Sequence, residues 1–90
     1  MNCDWDAAKA EANLRKHGFS FEEACTVFKD PFAATGADPD HSIGEARWIT
    51  FGISVFGRLL TVAHCERDDV MPIISARAAT RPERQLYEHG

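Results

Sequence analysis

Ninety residues, 44% hydrophobic and 27% charged, describe one small globular domain over residues 1–90 and argue against disorder. No apolar run approaches the ~20 residues that span a bilayer, and a start carrying Asp4 and Asp6 lacks signal-peptide character, so the expected location is cytoplasmic, with no membrane partner. The formal net charge of −4 tells against a general nucleic-acid binder, yet residues 46–90 hold six arginines against five acidic groups and allow a local positive patch.

In chain order, a short extended lead-in ends near Trp5, and Asp6 is placed to cap a first helix over residues 7–16. That segment is rich in alanine, leucine, lysine and arginine, with Glu11 and Arg15 spaced to pair along one turn. Gly18 supplies a left-handed stop after His17. Ser20 and Glu23 have capping-box spacing, and Phe19 can staple onto Ala24. Phe21, Ala24, Cys25 and Phe28 form the apolar stripe of a second helix closed by Asp30-Pro31.

Strands follow. Residues 32–37 suit a first strand, left through Asp38-Pro39-Asp40. From Glu45 to Ile53 a two-residue rhythm sets Trp48 on one face and Ile49, Phe51 and Ile53, with Arg47, on the other. Residues 54–57 supply a turn, residues 58–65 a second clear strand, residues 66–69 another turn, and residues 72–77 the last strand. Such short connections predict antiparallel neighbours. Thr80 and Glu83 form a further capping box, with Pro82 tolerated in the first turn, and a terminal helix runs through Leu86 and Tyr87. Two N-terminal helices, a three- or four-stranded antiparallel sheet and a short C-terminal helix make an α+β fold. Cys3, Cys25 and Cys65, odd in number and without CxxC spacing, are expected to be reduced and mostly buried.

The stretch Ile73-Ile74-Ser75-Ala76-Arg77 carries most of the chemistry. It reads as a buried strand delivering an arginine to its own end, and the helix after it brings Arg81 and Arg84 close by. Guanidinium forks are suited to gripping phosphate. Arg77 can therefore contact phosphate, or pair instead with Glu83 or Glu66. Arg67 is a second cation for charge stabilisation or simply part of a solvated turn, and Arg58 follows a turn glycine at the sheet rim. His17 is the candidate for proton transfer, since an unperturbed imidazole changes charge near neutrality, with Lys16 as its electrostatic neighbour; the bland alternative is a helix-end cap. Glu66 serves as a base only if burial raises its pKa. Tyr87 can stack on a base or pack the terminal helix. His64, alternating with Leu60 and Val62, suits a core or interface position, and Trp5 and Trp48 are read as core. No metal-ligand spacing stands out, and Ser75 has no nucleophile-elbow context, so neither a metal nor another cofactor is expected.

Taken together, Trp5-Asp6, Lys9-Ala10, Asn13, Lys16-His17-Gly18, Ser20-Phe21-Glu22-Glu23-Ala24, Val27-Phe28 and Asp30-Pro31 resemble the opening of the BrnT family of type II toxins. His41-Ser42, Gly44-Glu45, Arg47, Gly57-Arg58, Glu66-Arg67, the Ile73–Arg77 stretch, Ala79-Thr80, Glu83-Arg84 and Tyr87 extend the resemblance over essentially the whole chain. Many relatives carry an arginine where this chain has Pro72, and that proline suggests an edge position. The resemblance implies a RelE-like fold and a metal-independent endoribonuclease that inhibits translation by cleaving RNA. It implies neutralisation by a BrnA-like ribbon-helix-helix antitoxin, a possible 2:2 toxin–antitoxin assembly, and operator DNA contacted only through the antitoxin. In this reading Arg77, Arg67, His17 and Glu66 are catalytic, and Lys16, Arg58, Arg81, Arg84 and Tyr87 bind substrate. The alternative is a non-catalytic protein-interaction module or a regulatory nucleic-acid-binding module.

Overall fold

A computed structural model describes residues 2–38 and 46–90. The first helix, α1 (Ala7–His17), starts where the Asp6 carboxylate accepts the Lys9 amide at 3.0 Å. It stops at Gly18, whose φ of +79° lets its amide return to the Leu14 carbonyl. Arg15, Lys16 and His17 fill the last turn, where positive charge suits the helix dipole. The exposed Arg15–Glu11 pair at 3.1 Å fits the expected spacing and contributes little.

The next helix is shorter than the sequence suggests. Helix α2 (Phe21–Thr26) passes directly into a 3-10 turn, Val27–Lys29. Ser20 Oγ accepts the Glu23 amide at 3.0 Å, which is half of the expected capping box. The Glu23 carboxylate does not return to the cap; it is drawn off to Ser54 and Arg58. Phe19, Phe21, Ala24 and Val27 then enter the core, with Phe28 packed at its margin.

The sheet has five strands: β1 (Asn2–Asp4), β2 (Ala34–Ala37), β3 (Trp48–Ile53), β4 (Leu59–His64) and β5 (Val70–Ala78), in the order β1-β5-β4-β3-β2. Four strands form the expected antiparallel ladder. The lead-in is the exception: β1 pairs parallel with β5, Asn2 beside Val70 and Asp4 beside Pro72, which makes the sheet mixed. Pro72 is consequently flanked on both sides, not at an edge. Its missing amide hydrogen falls at the last register pair of the short β1, and its carbonyl still accepts the Cys65 amide at 2.9 Å. Expectations for Asp40, His41-Ser42 and Gly44-Glu45, including the start of the strand at Glu45, fall outside the described residues.

The helical hairpin covers one face of the sheet through Leu60, Val62, Ile73 and Ala76. Asn13 stitches α1 to this face. Its amide donates to the Phe19 and Ala76 carbonyls at 3.0 and 2.9 Å, and its oxygen accepts the Ala76 amide at 3.0 Å. On β3 it is Thr50 and Gly52 that are buried with the core, whereas Ile53, on the alternate face, is exposed. Gly52 is needed there, since a Cβ would sit 3.0 Å from both the Cβ and the carbonyl oxygen of Val27. Trp5 packs edge-on against Phe21 at 6.1 Å; Trp48 is half-buried and stands outside the core cluster. The last helix, α3 (Arg81–His89), lies against the second face, and its Thr80–Glu83 capping box is complete.

Two of the three cysteines are not thiols. Cys3 and Cys25 form a disulfide, because parallel pairing sets β1 where the Cα atoms are 6.2 Å apart, within bridging range. Cys65 is buried outside the disulfide.

Candidate functional site

Strand direction divides the cations into two groups. The end of β5 and the start of β4 meet where the Ala79 amide bonds the Leu59 carbonyl, so Arg58, Arg77, Thr80 and Arg81 come to one end of the sheet. Lys16 and His17 reach the same end through the Asn13 stitch and through Phe19, whose ring lies 4.4 Å beneath the Arg58 guanidinium. Glu66 and Arg67 occupy the β4–β5 turn, where Arg67 and Val70 exchange backbone hydrogen bonds of 2.8 Å. That turn is seven residues of strand away from Arg77, roughly 20 Å at the usual rise per residue. The four expected catalytic residues are thus split, with Arg77 and His17 at one end and Arg67 and Glu66 at the other.

Arg77 is held by a carboxylate. Its Nη1 and Nη2 donate to the two Glu83 oxygens at 2.7 and 2.8 Å, and Nη1 also reaches the Ala78 carbonyl at 3.3 Å. Glu83 does more than balance charge. It accepts the Thr80 amide and the Thr61 hydroxyl, both at 2.9 Å. Thr61 and Arg77 are register partners on β4 and β5, so one carboxylate locks the α3 cap onto two adjacent strands. The Arg77 hydrogen bonds, opposed by burial and reinforced by those from Thr80 and Thr61, bring the Glu83 pKa down to about 2. At neutral pH Glu83 is a fixed anion and a poor base.

Arg58 repeats the arrangement on the opposite face. Its Nε donates to Glu23 at 2.8 Å, and its Nη2 makes a second, short contact to the other oxygen. Ser54 Oγ donates to the same carboxylate at 2.7 Å. The Arg58 hydrogen bonds hold the Glu23 pKa below the usual range; burial opposes them and Ser54 assists. Glu23 is buried while the Arg58 side chain is half-exposed, and its Nη1 has no hydrogen-bond partner among the described residues. Arg81 and Arg84 are exposed on α3 and form no ion pair within the described residues.

Tyr87 ties α3 down. Its hydroxyl donates to Asp30 at 2.5 Å, and that bond, with burial, pushes the phenol up to about 12. Burial alone would raise the Asp30 pKa, but bonds from the Ile53 amide, Tyr87 and the Phe32 amide hold it low. His64 is a core residue. Its Nε2 meets the Thr50 hydroxyl at 2.8 Å, its ring lies edge-on to Phe28, and burial lowers its pKa. Among the described residues no group of three or more His, Cys, Asp or Glu side chains is arranged to hold a metal ion.

Glu23 and Asp30 are the polar anchors that the sequence reading used only for helix boundaries. Glu23 lies between Phe21 and Ala24 in the sequence, and all three are buried.

A family model described as the ribonuclease toxin BrnT of type II toxin–antitoxin systems matches residues 5–83. Among solved structures, the chain is similar to the crystal structure of the Brucella abortus ribonuclease toxin BrnT, determined at 1.1 Å resolution. The TM-score is 0.66 at 20% identity, covering 90% of this chain and 99% of that one, a likeness that speaks for the fold. No curated protein matches the chain.

Proposed function

Because this chain belongs to the BrnT family of ribonuclease toxins of type II toxin–antitoxin systems, we propose that it arrests translation as a metal-independent endoribonuclease. What supports the reading is that Arg77, Arg58 and Arg81 lie toward one end of the sheet, on its two faces, with Lys16 and His17 closing α1 toward the same end.

Cleaving RNA by transesterification requires a base for the 2′-hydroxyl, an acid for the departing 5′-oxygen and donors around the phosphorane. The 2′-oxygen bonds to phosphorus as the bond to the 5′-oxygen breaks, so one proton leaves and one is returned. In our reading Arg77 stabilises the phosphorane with the donors that Glu83 leaves unused, and Glu83 is a positioning residue. Arg58, Arg81 and Arg84 hold flanking phosphates, with Lys16 adding charge beside His17, the proton carrier. Tyr87 is poorly suited to moving protons, its hydroxyl being engaged by Asp30. Arg67 and Glu66, at the far end of the hairpin, enter this scheme only as contacts to a longer substrate.

The proposal includes a cytoplasmic protein silenced by a BrnA-like ribbon-helix-helix antitoxin, in an even-numbered complex of two toxins with an antitoxin dimer. Operator DNA is then bound through the antitoxin. One observation favours a second reading: Arg58 and Arg77 are each already bidentate to a carboxylate, as in a cationic surface built for protein docking without catalysis. Incubating purified protein with single-stranded RNA in EDTA separates the two. The ribonuclease reading expects strand cleavage; intact RNA at high protein concentration refutes it and leaves docking.

A further inference from the structure

Turn tips normally carry Gly, Asn, Asp or Ser. Two turns of this protein carry apolar side chains instead: Phe32 is 76% exposed in one, and Val55 70% and Phe56 72% in the other, with Ile53 beside it at 40%. These residues are tied together through their backbones. Asp30 accepts the Phe32 and Ile53 amides, each at 2.9 Å, and Thr26 Oγ1 accepts the Val55 amide at 2.9 Å. Two side chains around the 3-10 turn therefore fix both loops at one end of the β2–β3–β4 sheet. Single exposed apolar residues are ordinary, whereas a cluster held in place marks an interaction surface.

Charge at the same end selects the occupant. Arg58 follows Phe56 by two residues, and the Ala79–Leu59 hydrogen bond brings Arg81 alongside it. Of the nearby carboxylates, Glu23 and Glu83 are already paired with Arg58 and Arg77, and Asp30 is taken up by the Phe32 and Ile53 amides and the Tyr87 hydroxyl. The surface thus joins an apolar patch to a cationic rim and fits a segment with the reverse pattern.

We propose that this end of the sheet docks an acidic amphipathic segment of the antitoxin. Its apolar side chains cover Phe32, Ile53, Val55 and Phe56, and its carboxylates reach Arg58, Arg81 and Arg84. The inference rests on the antitoxin pairing proposed above and gives it a mechanism: the segment lies over the arginines that would hold RNA, so inhibition is occlusion. RNA matches the surface less well. Bases stack on aromatic rings, but Val55 and Ile53 offer no ring face, and phosphates would satisfy the arginines while leaving those aliphatic groups in water.

The test uses the full chain and the antitoxin encoded by the reading frame next to its own. Calorimetric titration of Phe32→Asp/Phe56→Asp should show antitoxin affinity about 30-fold or more weaker, the scale of interface hot spots. RNA cleavage by the variant without antitoxin should stay near the parental level. Unchanged antitoxin affinity overturns the proposal, as does loss of RNA binding with antitoxin affinity intact, which would make the patch an RNA platform. Failure of the parental pair to associate overturns it as well. Hydrogen exchange on the unmutated protein guards against a misfolded variant: residues 30–33 and 53–58 should gain protection when antitoxin is added, and protection confined to other segments rejects the surface. Weakened antitoxin binding supports the proposal whether or not the parental protein cleaves RNA, so failure of the ribonuclease reading is scored separately in the cleavage assay.

Discussion

Replacing Glu83 by glutamine removes one charge and leaves the shape of the α3 cap nearly intact, because an amide oxygen can still accept from Thr80 and Thr61. What is lost is the pair with Arg77. The gap between the ordinary glutamate value of 4.5 and about 2 in the folded protein corresponds to about 3 kcal/mol. The Arg77 side chain is 38% exposed, so solvent screening reduces the expected loss to about 1–2 kcal/mol at neutral pH. For a domain of this size that is a drop in melting temperature of roughly 5–15 °C. The pH dependence is more diagnostic than the magnitude. Between about 2 and 4.5 the unfolded chain binds a proton at Glu83 that the folded chain refuses, so stability rises with pH across that window. The contribution is complete above about pH 5 and lost as pH falls towards 2. Urea titrations of both proteins at several pH values should show the difference closing across that window. A difference that stays constant from pH 7 to pH 2.5 would refute the ion-pair account and leave only the cap.

Further outcomes follow from the same contacts. Arg77→Ala should slow RNA cleavage by ~100-fold, the cost of one lost stabilising donor, with Arg77→Lys recovering part of it; parental cleavage by a folded Arg77→Ala protein would remove this arginine from the site. Reducing the Cys3–Cys25 bridge, whose cysteines are 22 residues apart, should cost about 3 kcal/mol on the chain-entropy estimate, measured as denaturation midpoints with and without dithiothreitol. Gly52→Ala should destabilise by roughly 1–3 kcal/mol, since the new methyl meets the Val27 backbone; an unchanged midpoint would show that the 3-10 turn yields easily. Burial lowers the His64 pKa from 6.5, so its contribution to stability should be complete above that value and decline as pH falls further; His64→Phe should flatten this slope.

Local backbone signals were legible in the sequence because they act over three or four residues. Asp6 and Gly18 bracket α1 as their chemistry demands, and Thr80 with Glu83 closes the third helix start. The Arg77–Glu83 pair stood among the stated alternatives, since the two residues share one turn of chain. Ser20 and Glu23 show where such reasoning stops. The cap spacing is right, but Arg58, 35 residues onward, competes for the same carboxylate and takes it. The parallel pairing of β1, the disulfide it permits and the Tyr87–Asp30 tie across 57 residues depend on register between distant segments. No local pattern encodes that. The same limit explains the distance between Arg67 and Arg77: both stand beside turns, and only the direction of β5 reveals that these are opposite ends.

An acidic protein proposed to hold RNA must keep its carboxylates from repelling the substrate without leaving its arginines loose. The two Arg–Glu pairs address both requirements. Each carboxylate is surrounded by donors: Thr80, Thr61 and Arg77 for Glu83, Ser54 and Arg58 for Glu23. Their negative charge is largely compensated where RNA would approach, and each guanidinium plane is fixed before it arrives. Fixing the plane lowers the entropy lost when a phosphate docks, while charge compensation weakens long-range attraction. The expected signature is weak, shallow salt dependence of RNA affinity, because few counterions are displaced at a site whose arginines already have partners. Arg81 and Arg84, exposed and outside any ion pair among the described residues, should supply most of the slope that remains. Arg81→Gln/Arg84→Gln would then flatten the plot of affinity against salt while leaving cleavage of saturating RNA close to parental. A steep slope that survives this substitution would mean that other cations, such as Lys16, carry the contact.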